Sequence, residues 1–147
     1  MLSAVKQAQS NAFVGAQCGD QFAPAFKSIS WKFTANTQNY LVEPNCSQGT
    51  GVPMTNFNLK TRVTVSKVLF DSKTRSPDPL DITSLPSGGS GSRVEFSNIS
   101  GAVKFIDGSG LDVLNYQRMI IILQSASAKS GLFIEKGGLL YTGAIKE

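Results

Sequence analysis

A chain of 147 residues, 41% of them hydrophobic, reads as one domain, long enough to bury a core without disulfide or metal staples. Only 16% of the residues are charged, and Ser, Thr, Asn, Gln and Gly fill the gap, a surface common in extracellular and filament-forming β-proteins. Histidine is absent, which excludes Ser-His-Asp and Cys-His catalysis and the commonest zinc ligands; the net charge is +4.

Residues 2–17 differ in kind from the rest. At about 100° per residue, Leu2, Ala4, Val5, Ala8, Ala12, Phe13 and Ala16 share one half of a helical wheel, and Lys6, Gln7, Ser10 and Asn11 lie on the other. The spacing predicts an amphipathic helix about 24 Å long at 1.5 Å per residue. Its packing face, Leu2, Val5, Ala8, Ala12, Phe13 and Ala16, is narrow and alanine-rich, so whatever it rests on comes close. No Ser, Thr, Asp or Asn stands before residue 2 to cap the first amides, and Met1 before an uncapped helix points to a natural N-terminal part that has been removed.

Gly19 to Lys27 is a connector, interrupted by Gly and Pro. Ile29, Trp31 and Phe33 then alternate with polar residues, Asn36 to Asn39 supply turn chemistry, and Tyr40-Leu41-Val42 returns, so 29–43 reads as a β-hairpin. An exposed loop follows at 44–55. Leu59, Thr61, Val63 and Val65 predict one face of a long strand that runs on into Val68-Leu69-Phe70. Residues 71–92 hold three prolines and end in SGGSGS; they read as a long exposed loop within one fold, since neither flank is large enough to be a domain. Short strands follow around Val94 and Phe96, and around Val103, Phe105 and Ile106, with a turn at Asp107 to Gly110. Arg118 to Leu123 is apolar on both faces, and a terminal hairpin joins Leu132–Ile134 to Leu139–Tyr141 through Gly137-Gly138. The expected class is α+β: an N-terminal amphipathic α-helix packed on antiparallel β-sheets of about seven or eight short strands.

Cys18 and Cys46 each fall at the edge of a predicted element. In an exported chain they would form a disulfide, worth about 3–4 kcal/mol on the chain-entropy model; in a cytosolic one they are two small buried residues. Lys60, Arg62, Lys67, Lys73 and Arg75, relieved by Asp71, form the densest basic cluster. Solvated lysines on strand faces are the simpler reading and a DNA-binding patch the alternative, because phosphate affinity needs several cations on one face. No spacing among the ten carboxylates would place several oxygens round a cation; Asp78 and Asp81 read as turn residues. The glycine pairs lack the Lys-Ser of a phosphate loop, and Trp31 reads as core. No catalytic constellation, metal site or cofactor is expected. No run of 18 apolar residues and no signal peptide occur, so the chain as given reads as soluble.

The run AVKQAQSNAFVG, with Ala8-Gln9-Ser10-Asn11-Ala12, resembles the A-R/Q-S-x-A pattern of type IV pilin-like proteins, especially GspH/FimT-type pseudopilins and minor pilins. Ser30-Trp31-Lys32-Phe33 with Tyr40-Leu41-Val42 is similar to the hairpin that follows in that family. RVEFSNISGAVKF and RMIIILQSASAKSGLFIEKGGLLYTG resemble its run of short C-terminal strands. The family's basic leader, peptidase site and apolar N-terminal half-helix with its glutamate are not in this sequence. The resemblance implies a structural subunit of a type IV pilus or type II secretion filament, anchored in the inner membrane through a missing apolar helix and then assembled with other pilin subunits. On that reading 2–17 is the stem and 18–147 the β-rich head. Two alternatives stand beside it: a pilin-like tip subunit that binds DNA or a surface ligand, and a viral or appendage β-sandwich subunit with the helix as docking arm.

Overall fold

A computed structural model describes residues 6, 26–33, 39–46, 55–59, 62–74, 79–97 and 103–147, with the backbone alone for 26–33, 39–46, 55–58 and 97. In chain order the strands are β1 (Phe26–Phe33), β2 (Asn39–Cys46), β3 (Thr55–Asn58), β4 (Thr64–Asp71), β5 (Leu80–Asp81), β6 (Arg93–Ser97), β7 (Val103–Ile106), β8 (Arg118–Gln124), β9 (Lys129–Glu135), β10 (Leu140–Gly143) and β11 (Ile145–Lys146). They form a five-stranded sheet in the order β3-β2-β1-β6-β7, a four-stranded sheet in the order β10-β9-β8-β4, and a parallel pair β11-β5. Every pairing within the two larger sheets is antiparallel.

The expected α+β class is therefore corrected. The described fold is all-β, and among the described residues no helix lies against either sheet. The predicted packing face of Leu2, Val5, Ala8, Ala12, Phe13 and Ala16 lies outside the described residues. Lys6, exposed and helical in its backbone, is the one described position of that stretch. The two apolar faces of the four-stranded sheet are covered instead by the five-stranded sheet on one side and by the segment 79–87 with β11 on the other.

Strand β8 organises both closures. Met119 and Ile121 point toward the five-stranded sheet and join Val65, Val68, Phe70, Val94, Phe96, Val103, Phe105, Leu132, Ile134 and Leu140 in the core between the sheets. Ile120 and Ile122 point the other way and form a second core with Leu69, Phe133, Leu80 and Ile82, edged by Leu85, Tyr141 and Ile145. A strand buried on both faces needs apolar side chains at every position, which is why RMIIIL shows no alternation. The outer layer over the second core is the segment 79–87 together with β11, where Leu80 N donates to Ala144 O at 3.0 Å and Ile82 N to Lys146 O at 3.1 Å.

Three local expectations change. The hairpin at 29–43 is present and longer, with β2 running through Pro44 to Cys46 and pairing Ile29 with Pro44. The strand expected from Leu59 to Phe70 is broken at Arg62, whose φ of 71° is left-handed and incompatible with an extended run. The loop 71–92, expected to be exposed, buries Leu80, Ile82, Gly88 and Ser92. Its SGGSGS run is a junction between the sheets. Gly88 N donates to Val68 O at 2.8 Å on β4, and Gly88 O accepts from Gly108 N at 2.7 Å beyond β7. Ser92, fully buried, donates through Oγ to the carbonyls of Gly88 and Gly89. Only glycine fits at 88, since a Cβ there would lie 2.6 Å from both the Phe70 ring and Ser92 Oγ.

Candidate functional site

The best-organised polar cluster crosses the outer face of the four-stranded sheet at one end. Asp71 on β4 is the register partner of Arg118 on β8, which is the register partner of Glu135 on β9. Arg118 is 1% exposed and Asp71 6%. The guanidinium donates to Asp71 Oδ2 through Nε at 3.1 Å and through Nη2, and to the Tyr141 hydroxyl through Nη1 at 3.0 Å. Tyr141 donates onward to Glu135 Oε1 at 3.1 Å. The Arg118 carbon Cζ lies 5.2 Å from the centre of the Phe133 ring, and Phe133 and Tyr141 stack with centroids 4.9 Å apart. Burial raises the Tyr141 hydroxyl above its usual value, with Arg118 opposing the shift. A guanidinium taken out of water needs a bonded carboxylate, and here it has one. Asp71 and Arg118 stand 47 positions apart. The signal a sequence carries for them is a charged residue closing or opening an otherwise apolar strand.

The other described carboxylate side chains are likewise engaged within the chain. Asp81 accepts from Thr83 through its hydroxyl at 2.7 Å and its amide at 3.0 Å, and the hydroxyl bond holds this carboxyl below its usual range. Asp107 accepts from the amides of Ser109 and Leu111 and shapes its turn. Glu95 lies 3.4 Å from Arg93, and Asp112 3.2 Å from Lys104. Glu147 takes Lys129 and Lys67, the first of which chiefly lowers its carboxyl. Among the described residues no three His, Cys, Asp or Glu side chains gather as metal ligands.

A shallow, open cleft of about 450 Å³ lies between the 88–92 junction and the Asp107 turn, lined by Ser90, Gly91, Arg93, Asp107, Ser109 and Gly110. Its Asp107 carboxylate accepts from the amides of Ser109 and Leu111, and Arg93 lies 3.4 Å from Glu95 while its buried Nε has no hydrogen-bond partner among the described residues. A second groove of about 430 Å³ has an apolar floor of Leu69, Ile82 and Leu85, with Lys67 and Glu147 on its rim.

Of the basic cluster, Arg62, Lys67 and Lys73 are described and exposed, while Lys60 and Arg75 lie outside the described residues. Lys67 pairs with Glu147 across the end of the second core, so its charge is locally offset. Cys46 ends β2 opposite Phe26, and Cys18 lies outside the described residues, as does any bridge between them. Among the described residues no helix is long and apolar enough to cross a membrane. No protein-family model matches the sequence, and neither a curated protein nor a solved structure matches it.

Proposed function

We propose that the chain is the head of a structural subunit of a pilin-like filament, a minor pilin or pseudopilin, which assembles through its N-terminal segment. The carrying observation is the internal closure of the described carboxylates. Each described carboxylate side chain is bonded within the chain, and the best-formed cluster ties four adjacent strands together and presents no reactive group in a cleft. That is the chemistry of a rigid, inert module. The amphipathic spacing of residues 2–17 supplies an assembly face of small side chains ahead of it. Two sheets share a core, and a third layer covers the outer face of one of them.

The test is substitution on that face in the natural gene product, read in the native filament. Ala8→Cys and Ala16→Cys variants are expected to form disulfide-linked adducts with neighbouring subunits. Ala12→Asp is expected to abolish incorporation while the purified head melts at an unchanged temperature. Normal incorporation of Ala12→Asp would overturn the reading.

The all-β core also favours an appendage β-sandwich subunit docking through the same arm. The two separate on the unassembled precursor, which sits in the membrane fraction for a pilin and stays soluble for an appendage subunit.

A further inference from the structure

We infer that β10 is a self-complementary edge through which two copies of this chain pair, joining their four-stranded sheets into one eight-stranded sheet. The inference stands apart from the filament reading, since it needs only the head. Two of the sheet edges are already covered. Along β4, Phe70 N donates to Pro86 O, Gly88 N donates to Val68 O, and Leu69 bridges Ser87. Along β7, Asp107 N donates to Leu111 O, Val113 N donates to Phe105 O, and Ile106 bridges Asp112. Strand β10 ends the four-stranded sheet and, among the described residues, has no such cover.

The register shows which of its groups are open. Glu135 N donates to Leu139 O at 2.9 Å, and Leu140 pairs with Ile134, Tyr141 with Phe133 and Thr142 with Leu132. In an antiparallel ladder bonded and non-bonded pairs alternate, so Leu139, Tyr141 and Gly143 turn their backbone groups to β9. Leu140 and Thr142 turn both N–H and C=O outward. Among the described residues neither has a bond beyond the ladder.

A second β10 laid antiparallel about a two-fold axis at Tyr141 sets Leu140 against Thr142 of the other copy, and Thr142 against its Leu140. Four N–H···O bonds close at once, and the same patch serves both partners, as a two-fold interface requires. The edge also lacks two of the usual deterrents, charge and proline. Residues 137–144, GGLLYTGA, contain no charge and no proline, so two copies with a net charge of +4 meet here without like charges opposed. Leu139, 58% exposed at the start of the edge, falls opposite Gly143 of the partner in this register and gains cover there. Four residues make a short edge, so the pairing is weak in solution.

Sedimentation equilibrium of the purified protein tests this. Wild type is expected to rise from one chain to two between about 10 µM and 1 mM, the range of small interfaces. Thr142→Pro removes only an outward N–H from each copy and keeps the ladder to β9, so it is expected to weaken association by about tenfold or more with an unchanged melting temperature. Thr142→Ala keeps the N–H and is expected to associate like wild type. Amide exchange at Leu140 and Thr142, but not at Tyr141, is expected to slow as concentration rises. Wild type sedimenting as one chain throughout, or Thr142→Pro associating as wild type does, would overturn the inference.

Discussion

The two apolar layers on either side of the four-stranded sheet are built from the same strands and closed in different ways. The inner one lies between two hydrogen-bonded sheets, so each of its walls is held by a ladder. The outer one shares β4, β8 and β9, but its lid is the irregular segment 79–87 and the last few residues of the chain. Cross-strand position decides how that lid fits. Asp71, Arg118 and Glu135 form a polar row at one end, and Leu69, Ile120, Phe133 and Tyr141 an apolar row beside it. Lys67, Ile122, Gly131 and Gly143 make the next row, where absent side chains give room to the Phe133 ring and, at Gly131, to Ile145. A sheet face can thus be sealed without a second sheet when it ends in a buried ion pair and has a glycine slot for a strap.

The largest effect is expected at the ion pair. Asp71→Ala leaves the Arg118 guanidinium buried without its carboxylate and is expected to cost about 3–5 kcal/mol in urea unfolding, while Asp71→Ala combined with Arg118→Met recovers most of that. A loss below about 1 kcal/mol would mean that the outer face is not sealed at this end.

The two layers are then compared directly through neighbouring residues of β8, both fully buried. Ile121→Ala, facing the inner layer, is expected to cost about 4 kcal/mol, and Ile120→Ala about 2–3 kcal/mol, because an irregular lid collapses into a cavity more readily than a second sheet does. Equal losses would erase the distinction between the layers. Gly131→Ala sharpens it. The new methyl would lie 2.8 Å from Phe133 and 3.1 Å from Ile145, and about 1–3 kcal/mol of lost stability should come with faster amide exchange at Leu80 and Ile82 and none at Phe105.

The smallest effect belongs to Glu147. Its carboxyl is held low in the folded protein, so the stability it contributes is fully present above the ordinary value of 4.5 and is lost as pH falls through the depressed folded value. The difference between wild type and Glu147→Gln should therefore be small at pH 7, shrink with added salt and vanish in acid. A difference that grows in acid would contradict the sign.

Strand patterns were legible wherever one sequence window held the cause. The strand at 29–33, the Asp107 turn and the unbroken apolar run of β8 all appear in the structure at the expected places. The ionic row was not legible, because its members lie on three strands and only register brings them together. The helical spacing of 2–17 speaks of local propensity alone, and the α+β class inferred from it gives way to an all-β fold, because among the described residues the five-stranded sheet and the 79–87 segment with β11 cover the two faces of the four-stranded sheet.

By itself the sequence determined periodicity: which segments extend, where they turn, and that β8 must be buried on both faces. Only the tertiary structure decided what covers those faces. A glycine- and serine-rich run that looks like a linker carries buried hydrogen bonds between two sheets, and the last residues of the chain become the edge of a core. The physical reason is that backbone hydrogen bonds and apolar contacts between distant segments carry no short-range signature, so composition alone does not distinguish a spacer from a seam.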